Sequence, residues 1–372
     1  MIFFFLKLQH TRSSTLTEQL ARVDWFGSVL FIASTTSILI PVSWVSHHLN
    51  KLKSRANEPQ GGVMYPWSSW RTLLPLILGF VGLAAFAPYE MYYAKEPMVR
   101  FSIFENWSQK LVYYQTFIHG IILWSLLYYG PIYFEGVKGF SPIITGVALF
   151  PETFTVAPAS IVVGILTSVT GKYRWALWSG WVLTTLGMGL LYLQDVHTST
   201  VAWIFLNLVP GLGTGILFAG MAIAIPAAAS PKDMAHAVAF FSFFRAFGQG
   251  VGVAIGGVIF QNSIKKKLLD YPILAPMAAQ YSEDSASLVQ VIKAMQSGLA
   301  RTQLIQAYAD SLKIVWVVMC GLGATALITS LFVKAYSLNV ALETEQGFRG
   351  KKTIPDPESS DSEKIVSGTE SS

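Results

Sequence analysis

Charge is scarce in this sequence. Only 13% of its 372 residues are Asp, Glu, Lys or Arg, against 52% hydrophobic residues. A soluble domain carries about 25% charge. With a mean hydropathy of +0.48, an ordinary water-soluble fold is excluded. Cysteine is nearly absent. The one thiol, Cys320, sits in an apolar stretch, so no disulfide framework and no cysteine metal cluster can form within one chain. No metal-spaced His and Asp set and no strained nucleophile turn is present, which points away from an enzyme and calls for no cofactor or metal. A net charge of +5 is too small to mark a nucleic-acid partner.

What remains is long apolar runs. Eight are legible: 24–44, 72–93, 110–135, 143–168, 175–195, 201–229, 237–262 and 311–336. About 20 apolar residues cross a bilayer core. In lipid only helices and closed barrels satisfy their own backbone. The expectation is an all-α polytopic membrane protein of eight transmembrane helices, with the lipid bilayer as its first partner.

The run 237–262 is the most informative. Arg245, Gly248, Gln249, Gly252 and Gly256 follow one another at i, i+3, i+4, i+7 and i+11, which stacks them on one helical face. Small residues let a neighbouring backbone approach. A cation in mid-membrane is costly and normally faces protein or a water-filled cavity. Arg245 is therefore expected to line a substrate or proton pathway and to balance an acidic group or substrate, with Gln249 beside it.

Other polar residues lie inside spans. His119 has two readings, a packed neutral imidazole or a contact for protons or substrate. Glu152, between Pro151 and Pro158, can titrate or can pair locally near a helix end. Asn207 and Thr214 are candidate cavity polars. The run Pro210-Gly-Leu-Gly-Thr-Gly215 follows no strand, so it reads as a packing face rather than a phosphate loop.

Residues 1–23 read as a polar connector and 24–93 as two helices joined by an irregular loop, 45–71. A six-helix unit covers 110–336, with Ser263 to Asp310 as a long amphiphilic loop. A Ser- and acid-rich tail covers 337–372 and has too few apolar residues to fold alone. Lys and Arg lean toward the segments that share a side with the amino end, so both ends are expected in the cytoplasm. Asn106-Trp107-Ser108 would then stay unglycosylated.

Several stretches together carry a resemblance: DWFGSVLFIAS, YPWSSW, GPIYFEGVKGFSPIITGVALFPET, GKYRWALWSGWVLTTLGMGLL, PGLGTGIL and FFSFFRAFGQGVGVAIGG. They are similar to the fungal fourteen-helix drug:proton antiporters of the major facilitator superfamily. The resemblance implies proton-driven export of drugs or self-made secondary metabolites, at the plasma membrane or, alternatively, the vacuolar membrane. It matches the eight spans to the family's last eight helices, leaving the amino-terminal half missing. It also implies two motifs. The cytoplasmic loop motif is similar to Gly164, Gly171, Lys172 and Arg174, without its acidic member. The helix-packing antiporter motif belongs to a helix outside this match. Its glycine spacing is repeated by Gly248, Gly252, Gly256 and Gly257, with Val253 where proline is expected.

Against that pattern, Val45 to Gln60 is an insertion whose codons can begin and end as an intron does. Half a transporter is expected to be inactive alone or to pair with a second chain. The alternative is a non-transporting membrane protein or a pseudogene product of such a transporter.

Overall fold

The computed structural model describes residues 23–45, 69–95, 97–283 and 288–338. The expected connector 1–23 and tail 337–372 fall almost wholly outside them, as do loop 45–71, apart from its first and last residues, and the insertion after Val45. The described residues are helical, with no strand among them.

Helix α1 is Trp25–Val45 and α2 is Trp70–Tyr92. After a short 3-10 turn, Phe101–Phe104, come α3 (Trp107–Gly136), α4 (Pro142–Ala148), α5 (Phe150–Thr170), α6 (Arg174–Leu191) and α7 (Thr200–Ala228). Then follow α8 (Met234–Leu269), two short helices, α9 (Ala278–Glu283) and α10 (Leu288–Ala294), and α11 (Leu299–Ser330). Six of these, α2, α3, α5, α7, α8 and α11, are long and apolar enough to cross a membrane. Helix α1 and the 18-residue α6 occupy the other two expected spans. The chain is a multi-pass helical membrane protein.

Local chemistry sets the helix ends. Asn106, Ser141 and Ser199 cap α3, α4 and α7 by accepting from backbone N–H groups that would otherwise be orphaned. Gly171 ends α5 in the left-handed region at φ +66°, a conformation that favours glycine.

Two expectations are corrected. The span 143–168 is two helices that meet at Leu149, because Pro151 falls in the first turn of α5, where its missing N–H costs nothing. The expected loop 263–310 is mostly helix. Helix α8 runs on to Leu269 and α11 starts at Leu299, so only 270–298 connects them. Lys265 to Lys267 belong to the last turns of α8, where cations suit the negative end of the helix dipole.

Helices α3, α5, α6, α7, α8 and α11 pack as one bundle. The α3–α8 seam is close along its whole length. A Cβ on Gly248 would strike the Phe117 carbonyl, one on Gly252 would lie 2.5 Å from the Ile121 carbonyl, and one on Gly256 would strike the Tyr129 ring. On α3, a Cβ on Gly120 would strike the Arg245 carbonyl. The α1–α2 hairpin leans on the other side of α8, where Phe31 meets Phe243 and Phe240. Outward faces are apolar, for example Ile77, Phe80 and Val81 on α2, and Phe154, Ile161 and Ile165 on α5. Such faces suit hydrocarbon.

Of the four ion pairs among the described residues, Arg100–Asp233 and Lys293–Glu135 lie near helix ends, and the other two share Lys313, midway along α11. At one end of the bundle, Arg100 and Ser102 hold Asp233, at 3.5 and 2.8 Å. At the other, Lys313 joins Asp195 at 2.8 Å and Asp310 at 3.0 Å, while Lys138 donates to the Val196 and Thr198 carbonyls at 2.7 Å each. Helix α1 begins and α11 ends at the same end of the bundle, that of Asn106 and Arg100.

Candidate functional site

Helix α7 organises the interior polar groups. Asn207, Gly211, Thr214 and Phe218 stand at i, i+4, i+7 and i+11, so they share one face over about 16 Å. Asn207 is buried and donates to the Trp203 carbonyl of its own helix at 2.7 Å. Gly211 lets the Glu152 backbone of α5 come close. Thr214 meets His119, and Phe218 meets both His119 and Arg245.

His119 is fully buried on α3. Its Nε2 lies 3.1 Å from the Thr214 carbonyl. A carbonyl only accepts, so Nε2 carries the proton in that bond. In the neutral ring Nδ1 is then a bare acceptor, and it is buried with no partner.

Arg245 is only part-buried. Its guanidinium lies 3.9 Å over the Phe218 ring and 4.2 Å over the Phe241 ring. Such stacking stabilises a cation by about 0.5–2 kcal/mol. Its Nε and Nη2 are buried without a hydrogen-bond partner. None of the described ion pairs includes it, so the acidic partner expected for it is not among the described residues.

Glu152 sits in the first turn of α5 with 2% of its surface exposed, and neither carboxylate oxygen has a hydrogen-bond partner. Local pairing at the helix end, one of its two expected roles, is therefore absent. An ionised carboxylate without donors is costly in such a place. The group is complete only when a proton or a cation joins it.

The single face expected for Arg245, Gly248, Gln249, Gly252 and Gly256 divides in two. The three glycines are consumed by α3 of the same chain, so this groove does not open to lipid. Arg245 reaches sideways to α7. Gln249 is part-buried one turn along, its backbone N–H near Gly120, and Gly257 is part-buried. The loop residues lie elsewhere. A Cβ on Gly164 would have nothing within 4 Å, Lys172 is exposed, and the Arg174 guanidinium lies 4.6 Å over Trp178.

The sequence pass did not single out Phe218, Phe241 or Gln115. Phe218 was signalled by its place one turn beyond Thr214. Gln115 lies one turn before His119 and accepts from Trp181 Nε1 at 2.9 Å, while its own amide nitrogen is buried without a partner.

Among the described residues the bundle thus holds an Arg outside any ion pair, a bare imidazole nitrogen and a donorless carboxyl between apolar helices. The chain is 52% identical over 358 residues to "MFS transporter L2" of a Phoma species, an alignment covering 96% of this chain and 57% of that protein. It is 34% identical over 352 residues to "Efflux pump FUS6" of Gibberella fujikuroi, covering 94% of this chain and 60% of that protein. It is 32% identical over 357 residues to the "Acurin A biosynthesis cluster MFS-type transporter" of Aspergillus aculeatus, covering 94% and 61%. Its homologues are fungal major facilitator superfamily transporters. No family model matches the chain. The chain spans about three fifths of the length of these transporters. Those relatives are named as transporters or efflux pumps.

Proposed function

We propose that this chain is part of a fourteen-helix drug:proton antiporter that exports fungal secondary metabolites or drugs across the plasma membrane. Its eight long helices supply α1 and α2 as an inserted pair, and α3, α5, α6, α7, α8 and α11 as one transporter half. Arg245 and Phe218 contact the substrate, with Gln249 beside them. His119 and Glu152 carry the coupling protons, and Asn207 extends the polar stripe. The observation that carries this reading is the α7 stripe and the groups gathered around it, Glu152 on α5, His119 on α3 and Arg245 on α8, none of which joins an ion pair among the described residues. Proton-coupled carriers need such groups, because a site that loads and unloads protons cannot be permanently neutralised by a fixed partner.

Export by two bundles rocking about a shared interface needs both of them. The second is taken to come from sequence beyond these 372 residues or from a partner chain. The test is proton-gradient-driven efflux from yeast secretory vesicles over a panel of apolar metabolites. Residues 1–372 are compared alone and joined to the part of the Phoma relative that lies outside the alignment. The fusion exports and stops when a protonophore collapses the gradient, while residues 1–372 alone do not. Equal export by both, or export indifferent to the gradient, would overturn the proposal.

A further inference from the structure

A pocket of about 330 Å³ opens at the helix ends where α5 turns into α6, remote from the α7 stripe. Lys172, Arg174, Trp175, Trp178 and Tyr336 are among the residues that line it, and no carboxylate does. That volume is in the range of small-ligand sites. Its walls are fixed. Gly171 makes the turn at φ +66°. Trp175 Nε1 donates to the Lys172 carbonyl at 2.9 Å, and Trp178 Nε1 to the Ser330 carbonyl at 3.0 Å. Tyr173 donates to the Lys334 carbonyl and accepts from the Tyr336 N–H.

Among the described residues no carboxylate pairs with the two cations, Lys172 and Arg174. Arg174 Nε is buried without a hydrogen-bond partner. Beside the pocket, Val169, Leu331 and Phe332 are exposed at the ends of α5 and α11. Cations, indole rings and a bare apolar margin meet here at the ends of apolar helices, the combination that suits the border between headgroup and hydrocarbon. A soluble anion would use the cations and leave the apolar margin wet.

We propose that this pocket is a binding site for the phosphate of an anionic phospholipid, held by Lys172 and Arg174 with its chains along Val169, Leu331 and Phe332. The proposal does not depend on the export reading.

Association of spin-labelled phosphatidylserine and phosphatidylcholine with the full chain in phosphatidylcholine vesicles tests it. Phosphatidylserine is preferred by the unaltered chain, and each of Lys172→Gln and Arg174→Gln lowers that preference about fivefold. Lys172→Arg keeps it. Lys172 is exposed, so its variants fold, which circular dichroism checks; they keep the test valid if Arg174→Gln is unstable. Equal association of the two lipids, or a preference untouched by Lys172→Gln, overturns the site. Displacement of the labelled lipid by millimolar inorganic phosphate would make it a soluble-anion site and overturn the lipid assignment.

Discussion

Glu152 poses the sharpest question at the level of single residues. Its carboxyl is enclosed by α5, α7 and the Gly130 turn of α3, and a Cβ on Gly130 would stand 3.9 Å from Oε2. Neither oxygen has a donor, so Glu152→Gln exchanges an unsatisfied acid for a neutral group of the same shape. Thermal stability in detergent should hold or rise by about 1 kcal/mol, since the group lost was unpaired. Gradient-dependent export should fall sharply if Glu152 carries a proton. A variant that exports with an unaltered response to the gradient would remove Glu152 from the coupling path. His119 shows why such roles are hard to read from sequence. A histidine in an apolar run is equally consistent with packing and with proton transfer. The Thr214 carbonyl that fixes the proton on Nε2 and leaves Nδ1 bare lies 95 residues away, where no local pattern reveals it.

Asp195 behaves differently, being a charge with partners. Burial pushes its carboxyl up, but hydrogen bonds from Lys313, the Val196 N–H and Gln306 outweigh this and hold it below the ordinary 3.8. A carboxyl depressed in the folded state contributes stability that is present above its unfolded value and is lost as pH falls through the lower folded value. The Asp195–Lys313 link should therefore survive acidification to about pH 4 and fail only below. Both side chains are partly exposed, which limits the pair to roughly 0.2–1 kcal/mol. Asp195→Asn should lower the melting temperature near neutral pH and flatten the acid limb of a pH–stability curve. An unchanged acid limb would show that other carboxyls set it.

Among the elements, α8 decides the architecture through what its glycines omit. A side chain at Gly252 would meet the Ile121 backbone at 2.5–2.7 Å, whereas one at Gly250 would meet only Leu39 side-chain atoms at 3.5 Å or more. Gly252→Val should cost at least about 1–3 kcal/mol through forced separation of α3 and α8. Gly250→Ala should be near neutral. Thermal unfolding of the two purified variants separates them; equal loss would mean the seam is not tight.

The spacing of these glycines on one face was legible in the sequence, as were the approximate positions of the spans. The partner helix was not, because periodicity tells that a face is small and says nothing of which backbone fills it. Arg245 shares that face by arithmetic, yet its long side chain leaves it for Phe218 on α7. The break at Leu149 escaped because 143–168 is continuously apolar, and its Ser141 and Pro151 signals are weak beside that run. The ends of α8 and α11 escaped for the opposite reason. Past the membrane they are amphiphilic, and hydropathy alone reads them as loop.

For the molecule as a whole, the eight long helices α1, α2, α3, α5, α6, α7, α8 and α11 alternate in direction, so α1 begins and α11 ends at the same end of the bundle. Asn106 lies at that end. Its Nδ2 donates to the Ala228 carbonyl at 3.2 Å, and its Oδ1 accepts from Ser108 N–H and Tyr336. If that end is cytoplasmic, Asn106 never meets the glycosylation machinery. Even outside, a glycan on Nδ2 would have to break the link to α7. Treatment of the expressed protein with an endoglycosidase should leave its mobility unchanged. A shift abolished by Asn106→Gln would invert the orientation.

Export is where the whole arrangement converges on one side chain. Arg245 is stacked on two aromatic rings with two nitrogens left unbonded, beside the bare His119 and at the end of the polar face of α7. Gradient-driven efflux by the fusion described above, measured for Arg245 and Arg245→Ala at matched membrane abundance, tests that arrangement most directly. Loss of one charge-assisted contact should lower the efflux rate about tenfold or more while insertion stays normal. Unchanged efflux at unchanged abundance would contradict it and leave Arg245 as a packing residue.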